Sequence, residues 1–164
     1  KLFRPGMTVV DLGAAAGGWS QVAARAVAPG GRVIAVDVLD MPPIGGVTFL
    51  RGDLRDDAVL SQLEQRLGGQ AVDIVLSDMA PNMSGVASAD QARAIGLAEL
   101  ALEFALRHLK PQGKFLVKAF HGAGFDAFLR TMRERFLQVS VRKPEASRSR
   151  SREVYVLGAG VRQM

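Results

Sequence analysis

Several charged residues stand at the ends of short apolar runs, where a fold can gather them. Asp11, Asp37, Asp53 and Asp78 each close or follow a run rich in Val, Ile, Leu or Phe; Lys118 lies in Lys114-Phe115-Leu116-Val117-Lys118, and Glu153 precedes Val154-Tyr155-Val156-Leu157. Ionised carboxylates accept hydrogen bonds from hydroxyl and amino groups and hold cations. A lysine among them can serve as a base when neutral or stabilise an oxyanion when charged. Between Asp11 and a helical stretch comes Gly13-Ala14-Ala15-Ala16-Gly17-Gly18-Trp19-Ser20. Small residues at a strand-to-helix turn let a ligand approach the backbone. The glycine spacing is not G-x-G-x-x-G, and no Lys-Ser/Thr pair follows, so neither a dinucleotide fingerprint nor a P-loop is present. The chain has no cysteine, which excludes disulfides, thiolate metal sites and thiol nucleophiles. With only His108 and His121, no metal site is expected.

These residues need elements to position them. Strands are predicted at 7–12, 32–38, 47–51, 72–77, 114–120, 138–141 and 154–157, several of them apolar almost throughout, as in strands covered on both faces. Helices are predicted at 19–27, 57–67, 90–109 and 125–135. The third ends at Lys110-Pro111-Gln112-Gly113, a stop signal followed by a turn. Alternating strands and helices imply an α/β fold with parallel β-α-β units. The rhythm breaks at 142–153, which holds Pro144 and three Ser-Arg pairs, so the last two strands are expected to be antiparallel. Ligands bind beyond the carboxyl ends of parallel strands. Asp78 and Lys118 fall at that edge, and the start of an antiparallel last strand brings Glu153 to it.

The 164 residues fit one domain, 1–164. Lys1 rather than Met opens the chain, so a native N-terminal segment is expected to precede it. The hydrophobic runs fall well short of the roughly 20 residues that span a bilayer, and the composition reads as cytoplasmic with no membrane partner. Lys plus Arg is 21 against 16 Asp plus Glu, a net charge of +5 that suits a polyanionic partner.

An acid at the end of strand one, a small-residue loop and an acid at the end of strand two form the pattern of S-adenosylmethionine (SAM) enzymes. Asp37 suits the ribose hydroxyls and Asp53 the adenine amino group. Trp19, the only tryptophan, either walls the cofactor site or packs in the core. Four segments carry a closer likeness: Val9-Val10-Asp11-Leu12-Gly13 with the loop above, Asp78-Met79-Ala80-Pro81-Asn82-Met83-Ser84-Gly85, Lys118-Ala119-Phe120, and Ser147-Arg148-Ser149-Arg150-Ser151-Arg152-Glu153-Val154-Tyr155. Together they resemble the FtsJ/RlmE-type ribosomal RNA 2′-O-methyltransferases. The resemblance implies a Rossmann-like SAM-dependent methyltransferase fold, a seven-stranded, mostly parallel sheet with an antiparallel last strand and helices on both faces. It implies methylation of the ribose 2′-oxygen of a uridine in 23S ribosomal RNA within the large subunit, by a monomer. It maps catalysis onto Asp78, Lys118 and Glu153, and cofactor binding onto Gly17, Trp19, Asp37, Asp53 and Asp78. Two departures are visible. Ala16 stands where the family usually has Pro, and the family's first catalytic lysine lies upstream of the glycine loop with no counterpart here, so this chain is expected to be less active than one that has it.

Arg142, Lys143, Arg148, Arg150 and Arg152 cluster beside Glu153 and are expected to contact RNA phosphates, with Arg133 and Arg135 either extending the patch or forming a helix's outer face. Two other readings compete. A non-catalytic RNA-binding protein on the same fold is opposed by the intact Asp78, Lys118 and Glu153. A nicotinamide dehydrogenase is opposed by the glycine spacing and by the lone Tyr155 inside the last strand.

Overall fold

A computed structural model describes residues 2–143 and 152–163. Eleven elements alternate as predicted: β1 (Thr8–Leu12), α1 (Gly18–Val27), β2 (Arg32–Asp37), β3 (Val47–Arg51), α2 (Asp57–Leu67), β4 (Val72–Ser77), α3 (Ala87–His108), β5 (Leu109–Phe120), α4 (Phe125–Arg135), β6 (Phe136–Arg142) and β7 (Glu153–Val161). The seven strands form one sheet in the order β3-β2-β1-β4-β5-β7-β6. The pairs among β1 to β5 are parallel, and β7 runs antiparallel to both β5 and β6. The hairpin expected from the break at 142–153 is therefore present, with β7 inserted between β5 and β6.

Helices cover both faces, unequally. Val10, Leu12, Ile34, Val36, Val75, Phe115 and Val117 face α2, α3 and α4 and form the larger core. Val9, Val33, Ile74 and Leu76 point the other way, against Ala23 and Val27 of α1. Strand side chains alternate between faces, so odd positions of β1 and β2 and even positions of β4 share the α1 face. α3 meets the sheet largely through Ala94, Ala98, Ala101 and Ala105, with Ile95, Leu102 and Phe104 beside them. The leucines that dominate the sequence pattern, Leu97, Leu100 and Leu106, are only half-buried. Alanines in the contact stripe let the helix lie close to the strands.

Several predicted boundaries differ: β6 and β7 run longer than the expected 138–141 and 154–157, and the largest change lies at β5. α3 starts three residues earlier than expected and stops at His108, and the segment 110–113 read as a turn belongs to the start of β5. Val72 pairs with Leu109 and Ile74 with Lys114, so the extra residues bulge out of the ladder. The irregularity falls inside a strand: a Cβ on Gly113 would lie 2.9 Å from the Lys110 carbonyl oxygen, a backbone atom that cannot simply swing aside.

Candidate active site

Register assembles the site. Lys118 pairs with Tyr155 across β5–β7, and Tyr155 with Arg142 across β7–β6. Asp78 is one residue past β4, beside Lys118, and its N–H donates to the Leu12 carbonyl at 3.0 Å. The row Asp78, Lys118, Tyr155, Arg142 thus crosses four strands on the α1 face at the carboxyl ends of β4 and β5. Lys118 Nζ pairs with Asp78 Oδ1 at 3.0 Å, with the lysine side chain only 14% exposed. The Tyr155 hydroxyl lies 3.2 Å from Asp78 Oδ1 and 3.1 Å from Glu153 Oε1. One O–H bridges two carboxylates, and burial, then the charges of Asp78 and Glu153, push its ionisation above the usual tyrosine range. Trp19 packs on the Tyr155 ring, centroids 5.3 Å apart.

The glycine loop lies next to this row. Gly13 (φ +74°) and Gly17 (φ +108°) use backbone conformations that L side chains avoid. A Cβ on Gly13 would sit 2.8 Å from the Met79 backbone N, so β1's loop and the chain leaving β4 touch here. Asp37 accepts from the Ala15 N–H (2.8 Å) and the Leu39 N–H (2.9 Å), bracing the loop from β2. Asp53 follows Gly52, whose N–H donates to the Asp37 carbonyl at 2.8 Å; its carboxylate pairs with Arg55 at 2.7 Å, which holds it below the usual carboxylate range.

Asp11 is 1% exposed, and Ser20 Oγ donates to its Oδ2 at 2.6 Å. Its other oxygen, Oδ1, is buried without a hydrogen-bond partner among the described residues. Burial raises its pKa to about 7; the Ser20 bond opposes this, and the charges of Asp78 and Asp37 add to it. A carboxylate oxygen left over beside two further carboxylates and a small-residue loop fits a cationic, hydroxyl-rich ligand. The sulfonium, ammonium and ribose of SAM have that chemistry.

Residues 1–161 match the FtsJ-like methyltransferase family. The chain belongs to that family. It is 63% identical over 162 residues to the ribosomal RNA large subunit methyltransferase E of Azoarcus sp. (strain BH72), covering 99% of this chain and 79% of the relative. The protein of the same name from Stenotrophomonas maltophilia (strain K279a) is 62% identical, covering 99% and 77%. Among solved structures, a ribosomal RNA methyltransferase from Plasmodium falciparum superposes with a TM-score of 0.85 at 24% identity, covering 96% of this chain and 88% of that one. A methyltransferase from Streptococcus mutans, solved with SAH, superposes at 0.60 with 12% identity, covering 97% and 89%. Both likenesses concern the fold.

In this FtsJ-like methyltransferase the structure brings Asp78, Lys118 and Glu153 to one rim, two of them in direct contact and the third joined through Tyr155. Gly17 lies in the glycine loop with Asp37 and Asp78 beside it, and Asp53 lies on the loop after β3. Trp19 takes its place against Tyr155 and over apolar residues under α1, including Leu76 and Leu116. Arg142 and Lys143 edge an open groove of about 860 Å³ on that face, with Trp19 and Tyr155 in its lining. Arg152 precedes Glu153 and accepts the His121 N–H through its carbonyl at 3.0 Å. Arg148 and Arg150 lie outside the described residues. Sequence reasoning gave Tyr155 no role in the site, yet its spacing two residues from Glu153 was a usable signal, since i and i+2 of a strand share a face. Ser20 was missed too, because nothing in the linear pattern shows α1 returning a hydroxyl to Asp11.

Proposed function

We propose that this protein uses SAM to methylate the ribose 2′-oxygen of a uridine in 23S ribosomal RNA of the large subunit. The observation that carries the reading is the Asp78–Lys118 pair, extended through Tyr155 to Glu153, on the same rim as the glycine loop. The names of its relatives support ribosomal RNA of the large subunit as substrate. When bound, SAM supplies a methyl group already activated by the sulfonium, so the protein must align the acceptor and stabilise negative charge on it. Alignment alone can lower a barrier by roughly 7–11 kcal/mol.

Lys118 spends one of its three ammonium donors on Asp78. The other two are available to hold the ribose oxygen and stabilise it as it loses its proton. Asp78 fixes the direction of that amine. Tyr155 shares its single O–H between Asp78 and Glu153, holding Glu153 beside the acceptor. Asp37 offers carboxylate oxygens to the ribose hydroxyls of the cofactor. Arg142, Lys143 and Arg152, next to the row, are suited to RNA phosphates, which position the chain without reading sequence.

Transfer of tritiated methyl from SAM to undermethylated large subunits, followed by nuclease mapping, tests the reading. Label in a single 2′-O-methyluridine is the expected outcome. Label on a base nitrogen, or SAM binding without transfer by a chain that includes the family's upstream lysine, would refute it.

A further inference from the structure

The loop leaving Asp78 is held from inside the fold by a residue with no part in the chemistry above. After Met79 passes over Gly13, residues 80–86 cross to α3 without helix or strand. The large side chains of this stretch, Met83 (77% exposed) and Val86 (58%), face solvent. Such a segment has little apolar packing to order it, with Pro81 alone half-buried. Its order comes from one buried acid in the first turn of α3. Asp90 Oδ1 accepts the Ser84 N–H at 2.9 Å, the Ser84 Oγ–H at 2.7 Å and the Arg93 guanidinium. Ser84 Oγ in turn accepts the Val86 N–H at 3.1 Å. The Asp90 side chain is 8% exposed, and its hydrogen bonds with Ser84 hold it below the usual carboxylate range. A carboxylate is kept ionised in so enclosed a place only if its acceptors are used.

The neighbouring residue does the same for a second loop. Gln91 Nε2 donates to the carbonyls of Phe120 (2.9 Å) and Ala123 (3.0 Å), just beyond Lys118. One helical turn therefore ties the backbones that leave Asp78 and Lys118. The Asp78 loop runs from Gly13 to the first turn of α3, and that same turn holds the chain just past Lys118.

We propose that Asp90 is a positioning residue for the RNA acceptor: through Ser84 it fixes residues 80–86, and with them Met83, against the ribose that enters beside Lys118. This rests on the methyltransferase reading. It places the effect of Asp90 on RNA rather than on SAM, whose candidate contacts, Asp78 apart, lie on α1 and at the ends of β1, β2 and β3.

The test compares three variants in the full chain. Asp90→Ala removes the acceptor, Asp90→Asn keeps an oxygen at that place, and Ser84→Ala deletes an exposed hydroxyl without disturbing the core. Asp90→Ala is expected to raise KM for large subunits about tenfold, Ser84→Ala roughly threefold, and Asp90→Asn to restore most of the loss, with SAM affinity by calorimetry unchanged to within about twofold. A fall in kcat with unchanged KM and a lower Tm would mark mere structural support and overturn the proposal. So would three variants that match the parent. Should Asp90→Ala fail to fold, the other two decide. A parent that binds RNA but does not methylate subunits would sink the methyltransferase reading instead. The affinity of a fluorescent ribosomal RNA fragment would then decide this proposal, with about tenfold weaker binding by Asp90→Ala supporting it and equal affinity overturning it.

Discussion

Lys118 is almost enclosed and has its carboxylate partner 3.0 Å away, so its amine is held at one place on the rim. Lys118→Ala should lower methyl transfer by on the order of 10³-fold while SAM affinity changes less than about twofold, because a preorganised charge acts on the transition state rather than on binding. Radiolabel transfer and calorimetry on the same preparation read both numbers; a variant near parental rate would remove Lys118 from the mechanism. Asp11 yields a prediction in pH. Its folded pKa of about 7 lies above its ordinary 3.8, so between those values the folded protein holds a proton the unfolded chain has lost. Stability must then fall as pH rises from about 4 to 7 and level off above. Asp11→Asn removes this penalty, which is roughly 4 kcal/mol at most. The variant should be the more stable protein at pH 8 and lose that advantage toward pH 4 in urea unfolding. An advantage that does not change with pH would show that Asp11 is not the group responsible. The types of Lys118, Asp78 and Glu153 and the motifs around them were enough to nominate them. The raised pKa of Asp11 was not legible, since it depends on burial and on two carboxylates from other strands.

Elements decide how these side chains are aimed. Gly13 turns the chain out of β1 at φ +74°, under Met79. Gly13→Ala combines a left-handed backbone, about 1–2 kcal/mol for a residue with a Cβ, with a clash against Met79 backbone atoms that cannot move without moving Asp78. Thermal unfolding should show a lower Tm, and both SAM affinity and transfer should drop. Unchanged SAM affinity would separate the loop from the cofactor. The strands and most helix limits were legible because β-rich runs and 3.6-residue periodicity reflect burial directly. The bulge at 110–113 was not. Pro111 and Gly113 signal a stop in any local reading, and only pairing with β4 carries the chain into the sheet at Leu109. The alanine stripe of α3 was hidden for a similar reason: small residues weigh little in a hydrophobic pattern, yet they let the helix approach the strands.

Across the whole molecule, charge and topology set what can dock. The net charge of +5 makes RNA binding salt-dependent, and Arg142 lies in register with Tyr155 at the edge of the groove. Arg142→Gln should weaken RNA binding at low salt and reduce the slope of log K against log salt by about one, as loss of one phosphate contact does. Equal slopes for variant and parent would place Arg142 off the RNA path. Among the described residues no helix is long and apolar enough to cross a membrane. What the sequence determined by itself was the alternation of strands and helices, the likeness to one family and the identity of the acids and the lysine, because these depend on residue type and local spacing. What only the tertiary structure decided was contact. The register of β5, β7 and β6 put Tyr155 between two carboxylates, and the packing of α1 and α3 gave Asp11 its serine and the Asp78 loop its anchor. Such contacts join residues up to 77 positions apart, and no local pattern encodes a distance of that kind.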